Sequence, residues 1–401
     1  MKLKRFMDRG NTIVAMLCLA FFGGCSEADS PAGAPPVQPL QFDLFLDQIA
    51  AAPYASRQAL VDSFMAAIDS LPKPFVEESC AVFIYQGNPS APPEVPGDYN
   101  GWDPNVDAMI RIDSTNFCYH REYLPLDART DYKFIVNGNW ILDPLNPRTV
   151  TGGFGPNSEL VMPAFIDPPE IQPDSSLEAG VILTTNFTSQ IMGNTRTLHI
   201  YLPPGYSSGS ESYPSIYVND GGEYISLGSI DHVLDYCIGH NLARPLIAVL
   251  VDPVNRNVEY WLNDDYRRFI VEELVLYIDA QYRTLTSPEN RAIMGASLGG
   301  VTSFYIAYSN PEIFGCAGGH SSALWINDGQ MIAMIQNGEN RPIRFYLDCG
   351  TFETSNLQDN QTLRDVLQAK GYDFIYYEFH DGHSWGNWRG HIDNILEAFF
   401  D

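Results

Sequence analysis

The residue best suited to chemistry is a serine held between glycines in the segment 295–300, Gly-Ala-Ser-Leu-Gly-Gly. A short apolar run precedes this segment and is typical of a buried strand, and a run typical of a helix follows it. Glycines beside the serine permit a sharp strand-to-helix turn, which exposes the hydroxyl above the edge of a sheet. The pattern therefore predicts Ser297 as a nucleophile. The Leu298 amide, at the helix N-terminus, is predicted to stabilise an oxyanion.

A serine nucleophile needs a general base, and two histidines near the C-terminus compete for this role. Both follow the aromatic, strand-like run 374–379 and precede a helix-like run. His383 follows Gly382 and is flanked by aromatic residues, whereas His380 ends the strand and could be a structural residue. We therefore predict His383 as the base, on the loop between the last strand and the last helix.

The third member of such a site is a carboxylate that orients the imidazole and stabilises its charged form. The segment 343–353 supplies a strand and the loop beyond it, with Asp348 at the strand end and Glu353 on the loop. Glu353 is the predicted acid because a side chain on the loop beyond the strand can reach the histidine. Asp348 is the alternative.

With these motifs, the region 177–401 resembles the esterase-D and enterochelin-esterase group of α/β-hydrolases, which includes feruloyl and acetyl-xylan esterases and mycolyltransferases. Further shared features are Tyr-Leu-Pro-Pro-Gly-Tyr at 201–206, Asn-Asp-Gly-Gly at 219–222 and Gly-His-Ser-Trp at 382–385. The stretch 349–353 resembles the acid loop of the group, with glutamate in place of the commoner aspartate.

This resemblance implies an α/β-hydrolase fold with a mainly parallel sheet and a serine carboxylic-ester hydrolase that requires no cofactor and no metal. It implies that the loop at Gly221 and Gly222 donates a second amide to the oxyanion. It also implies a substrate cleft lined by five further residues, namely Trp385, Trp388, Tyr224, His320 and Ser321. Packing in an aromatic core is the alternative for the two tryptophans.

The N-terminus has the pattern of a bacterial export signal, with basic residues followed by a short apolar run. Small residues before Cys25 resemble a lipoprotein processing site, so we predict lipidation of Cys25. The predicted protein is exported, periplasmic or at the cell surface, and bound to the membrane only through this lipid anchor. The predicted segments are a signal peptide over 1–25, a tether over 26–40, helices over 41–74, a β-sandwich over 75–165, a linker over 166–177 and the hydrolase over 178–401.

The predicted sandwich resembles the immunoglobulin-like early-set domains attached to starch-branching enzymes, isoamylases and the glycogen-sensing subunit of AMP-activated kinase. The residues that carry this resemblance are Gly-Asp-Tyr-Asn-Gly-Trp at 97–102 and the segment 132–144. In glycan-binding members, two tryptophans and a lysine form a sugar platform, which implies Trp102, Lys133 and Trp140 here. Packing of both tryptophans in a core or between domains is the alternative.

The amino-acid composition disfavours some classes of partner and substrate. The net charge of −26 disfavours nucleic acid and other polyanions as partners, and a polyanionic catecholate such as enterochelin fits it poorly. Of the seven cysteines, Cys80 and Cys118 fall in predicted strands, where they either pair or stay free and buried.

The resemblance to this esterase group implies hydrolysis of acyl or feruloyl esters of carbohydrates, in a polysaccharide or a small molecule, or of related small esters. The alternatives are an acyltransferase on the same triad, a siderophore esterase of the enterochelin type and a non-catalytic glycan-binding lipoprotein.

Overall fold

Two helices begin the part of the chain described by this computed structural model, which covers residues 40–401. They are α1 (Gln41–Ala51) and α2 (Tyr54–Ala67), interrupted at Pro53. Their buried rings Phe45 and Phe64 stack with centroids 4.2 Å apart, and Phe45 meets Phe117 of the following β-rich segment at 5.6 Å. The helices therefore pack on that segment. The predicted signal peptide, Cys25 and the predicted tether up to residue 39 lie outside the described residues.

The β-rich segment is a small sandwich. A four-stranded sheet has the order β1-β2-β4-β3, a three-stranded sheet has the order β5-β9-β8, and β6 and β7 form a hairpin. The strands are β1 (Phe75–Glu77), β2 (Cys80–Gln86), β3 (Ile110–Arg111), β4 (Phe117–Tyr123), β5 (Arg129–Tyr132), β6 (Phe134–Val136), β7 (Asn139–Ile141), β8 (Thr149–Gly152) and β9 (Gly155–Val161). A 3-10 turn at Asp98–Asn100 lies in the long connection between β2 and β3.

The two cysteines of this sandwich are both buried and free. Cys80 lies opposite Tyr123 in the β2–β4 ladder, whereas Cys118 lies opposite Tyr85. This register puts them at opposite ends of the paired strands, far beyond the Cα separation that a disulfide spans. The proposed Cys80–Cys118 pairing is therefore wrong.

An eight-stranded sheet forms the larger part of the molecule, in the order β10-β11-β13-β12-β14-β15-β16-β17. Pairing is parallel from β13 to β17, whereas β11 pairs antiparallel with both of its neighbours, β10 and β13. The strands are β10 (Val181–Ser189), β11 (Asn194–Leu202), β12 (Ser215–Asn219), β13 (Ile247–Val251), β14 (Arg291–Ala296), β15 (Cys316–His320), β16 (Arg344–Gly350) and β17 (Phe374–Phe379).

Helices cover both faces of this sheet, as a parallel sheet requires. Along β14, Ile293 belongs to one hydrophobic core while Ala292 and Met294 belong to the other. The helices are α3 (Gly221–Ser226), α4 (Ile230–Gly239), α5 (Arg256–Glu259), α6 (Asp264–Arg268), α7 (Val275–Gln281), α8 (Leu298–Ser309), α9 (Ile326–Asn337), α10 (Ser355–Lys370), α11 (Trp385–Arg389) and α12 (Ile392–Phe400). A π-helical stretch, Phe269–Leu274, joins α6 to α7, and 3-10 turns lie at Pro169–Ile171 and Pro288–Asn290.

Across residues 40–401, no helix is both long and apolar enough to cross a membrane.

Candidate active site

The serine turn joins β14 to α8. Ser297 has φ 57° and ψ −119°, a backbone conformation that costs a non-glycine residue about 1–3 kcal/mol. The neighbouring glycines make the turn sterically feasible: a Cβ on Gly295 would lie 2.6 Å from the Gly299 carbonyl carbon. A Cβ on Gly300 would lie 2.5 Å from Ser322 Oγ. The local sequence therefore dictates the turn, and the turn presents the Ser297 hydroxyl at the carboxyl end of the parallel strands.

Three side chains far apart in the sequence converge at this turn. His383 Nε2 lies 2.9 Å from Ser297 Oγ, and His383 Nδ1 lies 2.7 Å from Glu353 Oε2. His380 instead pairs at 2.7 Å with Asp127, and both of these side chains are exposed. Of the two candidate bases, the structure thus brings only His383 to the serine.

Glu353 is buried and fully engaged as an acceptor. Its Oε1 accepts hydrogen bonds from Ser321 Oγ at 2.5 Å and from the Gly350 amide at 2.8 Å, and its Oε2 also accepts from Asn356 Nδ2 at 2.8 Å. Burial by itself would raise the pKa of Glu353, but the bonds and charge of His383 and the two side-chain donors lower it overall. The carboxylate therefore stays ionised, and because it can only accept, the proton between the two side chains lies on His383 Nδ1.

Asp348, the alternative acid, belongs to a separate buried pair. Its Oδ2 lies 2.7 Å from His320 Nδ1 and accepts a hydrogen bond from Tyr346 Oη at 2.9 Å. The carbonyl of His320 in turn accepts the Ser297 amide at 2.8 Å. Asp348 is therefore connected to the serine turn through His320 and does not contact His383.

None of the five residues predicted to line the cleft borders the Ser297 cavity, and for the two tryptophans the alternative of core packing holds. Tyr224, His320 and Ser321 are fully buried, and Trp385 and Trp388 are only 5% and 7% exposed. Trp388 Nε1 donates to Ser321 Oγ at 3.0 Å, and Ser321 is itself a donor to the acid. These residues form a layer beneath the triad, which a pattern of aromatic residues in sequence cannot distinguish from a cleft wall.

The oxyanion amides are only partly as predicted. Leu298 is the first residue of α8, so its amide has no carbonyl partner within the helix. Of the two glycine amides in the predicted loop, that of Gly222 is not available to a substrate, because it donates to Asp252 Oδ1 at 2.6 Å. Gly221 remains the candidate for the second amide. It must be glycine because a Cβ there would lie 2.4 Å from the backbone of Leu250.

A salt bridge that sequence reasoning missed joins this loop to Arg256 of α5, whose Nη2 also donates to the Ala296 carbonyl before the serine turn at 3.4 Å. Asp220, in the left-handed region at φ 61°, accepts two bonds from Arg256, at 2.8 and 2.9 Å. A Cβ on Gly299 would lie 3.1 Å from the Asp220 carboxylate. Nothing local in the sequence identifies Arg256, because it lies in a different connection.

Residues of the sandwich also line the active site. A cavity of about 360 Å³ is lined by Ser297, His383 and Glu353 from the larger part, and by Asp98 and Trp102 from the sandwich. Trp102 Nε1 donates to Asp98 Oδ1 at 2.9 Å. A Cβ on Gly382, the neighbour of the base, would lie 2.2 Å from Asp98 Cγ. The other lining residues are Gly101, Trp325, Phe352, Thr354, Asn356 and Gly382.

Sugar binding by Trp102, Lys133 and Trp140 stays a prediction. Trp102 and Trp140 stack with centroids 6.4 Å apart at an angle of 27°. Trp140 is exposed and Lys133 is half-buried, and neither borders the cavity.

Arg129 of β5 braces the loop that carries the base. Its amide donates to the His380 carbonyl at 2.9 Å, and its Nη1 donates to Asp381 Oδ1 at 3.0 Å and Ser384 Oγ at 3.2 Å. Gly386 lies directly against the guanidinium. Because these partners are about 250 positions apart in the chain, no local pattern predicts the contact.

The Asp381 carboxyl of this brace should leave a measurable pH dependence. Burial raises its pKa to about 7, although the Arg129 guanidinium opposes the shift. A folded-state pKa above the ordinary value of 3.8 means that the folded chain binds more protons. The contribution to the free energy of unfolding is therefore full below pH ~4 and is lost as pH rises through ~7. We expect Asp381→Asn to reduce the loss of stability between pH 5 and pH 8 by about 1–2 kcal/mol in urea titrations.

The matched control is Asp113→Asn, at an exposed carboxyl group of the sandwich. This variant should keep the slope of the unmodified chain. Equal slopes for the chain and Asp381→Asn would contradict the assignment.

One group of metal-compatible side chains occurs within residues 40–401. Asp107, His120 and Glu122 bring one ligand atom each to within 4.8 Å of one another on the sandwich. None of the three borders the Ser297 cavity.

Comparison with known proteins shows which family the chain matches. Residues 189–399, more than half of the 401-residue chain, match the Esterase family, described as "Putative esterase". Over 241 residues the chain is 28% identical to an endo-1,4-beta-xylanase/feruloyl esterase of Xylanibacter ruminicola, which covers 55% of this chain and 31% of that protein.

Solved structures show the same architecture. The enterobactin esterase of Shigella flexneri superposes with a TM-score of 0.69 at 21% identity, over 80% of this chain and 92% of that one. The ferulic acid esterase of the anaerobic fungus Anaeromyces mucronatus superposes with a TM-score of 0.51 at 21% identity, over 59% and 96%. The predicted α/β-hydrolase fold is confirmed.

Proposed function

This chain belongs to the Esterase family and is a carboxylic-ester hydrolase of the enterobactin and feruloyl esterase type, and from that premise we propose that it works through an acyl-enzyme on Ser297. The observation that carries the proposal is the unbroken chain of contacts from Glu353 through His383 to the Ser297 hydroxyl, at 2.7 and 2.9 Å. Both distances lie within hydrogen-bond reach for proton transfer.

In the first half of the reaction, Ser297 Oγ attacks the ester carbonyl while His383 Nε2 takes its proton. Glu353 keeps the other proton on Nδ1 and stabilises the imidazolium. The amides of Leu298 and Gly221 hold the oxyanion. Collapse of the tetrahedral species expels the alcohol, which receives the proton from His383.

In the second half, His383 takes a proton from water, and the resulting nucleophile attacks the acyl-enzyme. The carboxylic acid leaves, and the proton returns to Ser297 Oγ. Every proton is accounted for by these side chains and water.

The proposed substrates are acyl or feruloyl esters of carbohydrates, or related small esters. A cavity of about 360 Å³ lies at the small end of the range for ligand sites and suits a single ring with its ester. The net charge of −26 disfavours polyanionic esters. The relative named as a xylanase/feruloyl esterase supports this class. The likenesses to the solved ferulic acid esterase and enterobactin esterase, both at 21% identity, support the fold alone.

A panel of esters tests the proposal. Purified protein should hydrolyse methyl ferulate, p-nitrophenyl acetate or acetylated xylose, and Ser297→Ala should not. Ser207→Ala, at an exposed serine, serves as the matched control and should keep full activity. Turnover of none of these esters by the unmodified chain would contradict the proposal.

The same panel separates the alternatives. Faster transfer to an added sugar or alcohol than to water would indicate an acyltransferase. Preference for a catecholate siderophore ester would indicate the enterochelin type. Binding to starch or xylan without any reaction at Ser297 would indicate a non-catalytic glycan-binding protein.

A further inference from the structure

The six tryptophans form three pairs, and two of these pairs place one member at the Ser297 cavity. Trp102 of the sandwich stacks on Trp140, with centroids 6.4 Å apart. Trp325, between β15 and α9, meets Trp261 edge-on at 5.5 Å. Two separate parts of the chain thus place indole rings at one catalytic cavity.

Local structure fixes the orientation of Trp102. Its backbone is in the left-handed region at φ 60°, directly after Gly101 at φ 67°, which is unusual for a bulky residue. Its amide donates to the Gly97 carbonyl at 2.9 Å and its indole N–H to Asp98 at 2.9 Å. The other Asp98 oxygen accepts the Asp131 amide at 2.7 Å. These hydrogen bonds hold the indole ring at the cavity, although the left-handed backbone conformation is unfavourable for a bulky residue.

The two pairs are open to solvent rather than buried in a core. Trp140, Trp261 and Trp325 are 48%, 41% and 53% exposed, and Trp102 is half-buried. Exposed apolar side chains grouped beside a catalytic cavity mark a ligand surface. This exposure disfavours a purely structural role for the tryptophans.

Charge further restricts the ligand. Among the described residues that line the cavity there is no lysine and no arginine. Its two carboxyl groups are already engaged, Asp98 with Trp102 and Asp131, and Glu353 with His383. The lining therefore offers no counter-charge to an anionic substrate.

We propose that the Ser297 cavity and the two tryptophan pairs form a subsite for the uncharged ring of an ester, with Trp102 as the stacking face. The inference rests on the proposed esterase function and names its substrate class. An indole binds a flat ring through its face, whether the ring is an aromatic acyl group or the C–H face of a pyranose. The sandwich is then a wall of the catalytic cleft and not an independent sugar-binding module.

The test compares Trp102→Ala with Trp102→Phe, which keeps an aromatic face. Methyl ferulate carries its ring on the acyl side, acetylated xylobiose carries it on the alcohol side, and methyl acetate carries none. We expect Trp102→Ala to lower kcat/KM for at least one ring ester about tenfold more than for methyl acetate. Trp102→Phe should recover most of this loss. The ester that shows the effect identifies the side of the ester that stacks.

Phe154→Ala is the matched control, since this aromatic side chain is fully exposed and does not border the cavity. It should leave all three values unchanged. Equal losses for methyl acetate and both ring esters in Trp102→Ala, or no loss for either ring ester, would overturn the inference.

A second experiment varies the charge of the substrate. Methyl 4-hydroxycinnamate and methyl 4-carboxycinnamate differ in one substituent, which is neutral in the first and anionic in the second. We expect kcat/KM about tenfold or more lower for the anionic ester, with partial recovery at high salt. Equal turnover of the two would contradict an uncharged subsite.

Binding separates this inference from the catalytic proposal. Methyl ferulate should quench tryptophan fluorescence of the Ser297→Ala protein, and the Ser297→Ala, Trp102→Ala double variant should bind it about tenfold more weakly. This result is independent of turnover. Turnover of no ester by the unmodified chain would count against the proposed function, whereas unchanged binding in the double variant would count against the subsite.

Discussion

Replacing Ser297 by alanine is expected to lower kcat for ester hydrolysis by at least about 10,000-fold. The variant retains Cβ, so the strained turn at φ 57° is no harder to form. What it loses is the oxygen that lies 2.9 Å from His383 Nε2. Residual activity would come only from the oxyanion amides acting on water.

The measurement is kcat for methyl ferulate or p-nitrophenyl acetate, with thermal unfolding to establish that the variant is folded. Ser207→Ala should match the unmodified chain in both. A folded Ser297→Ala protein that kept more than about a hundredth of the activity would exclude a serine nucleophile at this position.

Replacing Glu353 by glutamine is expected to lower kcat about 1,000- to 10,000-fold. A neutral amide cannot stabilise the imidazolium, and it can present N–H instead of oxygen to His383 Nδ1, which favours the wrong tautomer. The hydrogen bonds from Ser321 and from the Gly350 amide also need a charged acceptor to keep their strength. The loss should therefore appear in kcat.

Asp348→Asn is the matched control, because it changes a buried carboxylate that lies 2.7 Å from a different histidine, His320. We expect it to cost about 1–3 kcal/mol of stability and to change kcat only a few-fold. Urea unfolding and steady-state kinetics measure the two effects. The reverse pattern, with Asp348→Asn inactive and Glu353→Gln active, would identify Asp348 as the acid.

The triad candidates could be read from the sequence because each lies in a short local pattern. The serine turn needs glycines at fixed offsets, and a Cβ at Gly295 shows why, at 2.6 Å from the backbone of Gly299. Chain order then placed an acid and a histidine after later strands. The predictions of the triad residues therefore rest on local sterics and on the order of the strands.

The layer beneath the site could not be read in the same way. Ser321, Trp388 and His320 were expected to line the cleft, yet they are buried and stabilise the acid and the serine turn. Burial depends on how the sheet and the last helices pack, and sequence spacing does not record it. Which glycine amide of the oxyanion loop is free could not be read for a similar reason, since that of Gly222 is bound by Asp252 from another strand end.

The role of the sandwich was also beyond sequence reasoning. The motif at 97–102 resembled a sugar platform, but Asp98 lies against Gly382 and Trp102 borders the Ser297 cavity. Arg129 further joins the sandwich to the base loop at Asp381 and Ser384. Such contacts join residues that are hundreds of positions apart, and only the folded chain brings them together.

Covalent trapping offers the most direct test that Ser297 is activated by its two partners. Purified protein is treated with a fluorophosphonate and digested, and the modified peptide is identified by mass spectrometry. A single adduct should appear on Ser297, far more slowly in Glu353→Gln and not at all in Ser297→Ala. Labelling of another residue, or none under conditions where esters are hydrolysed, would contradict a nucleophilic Ser297.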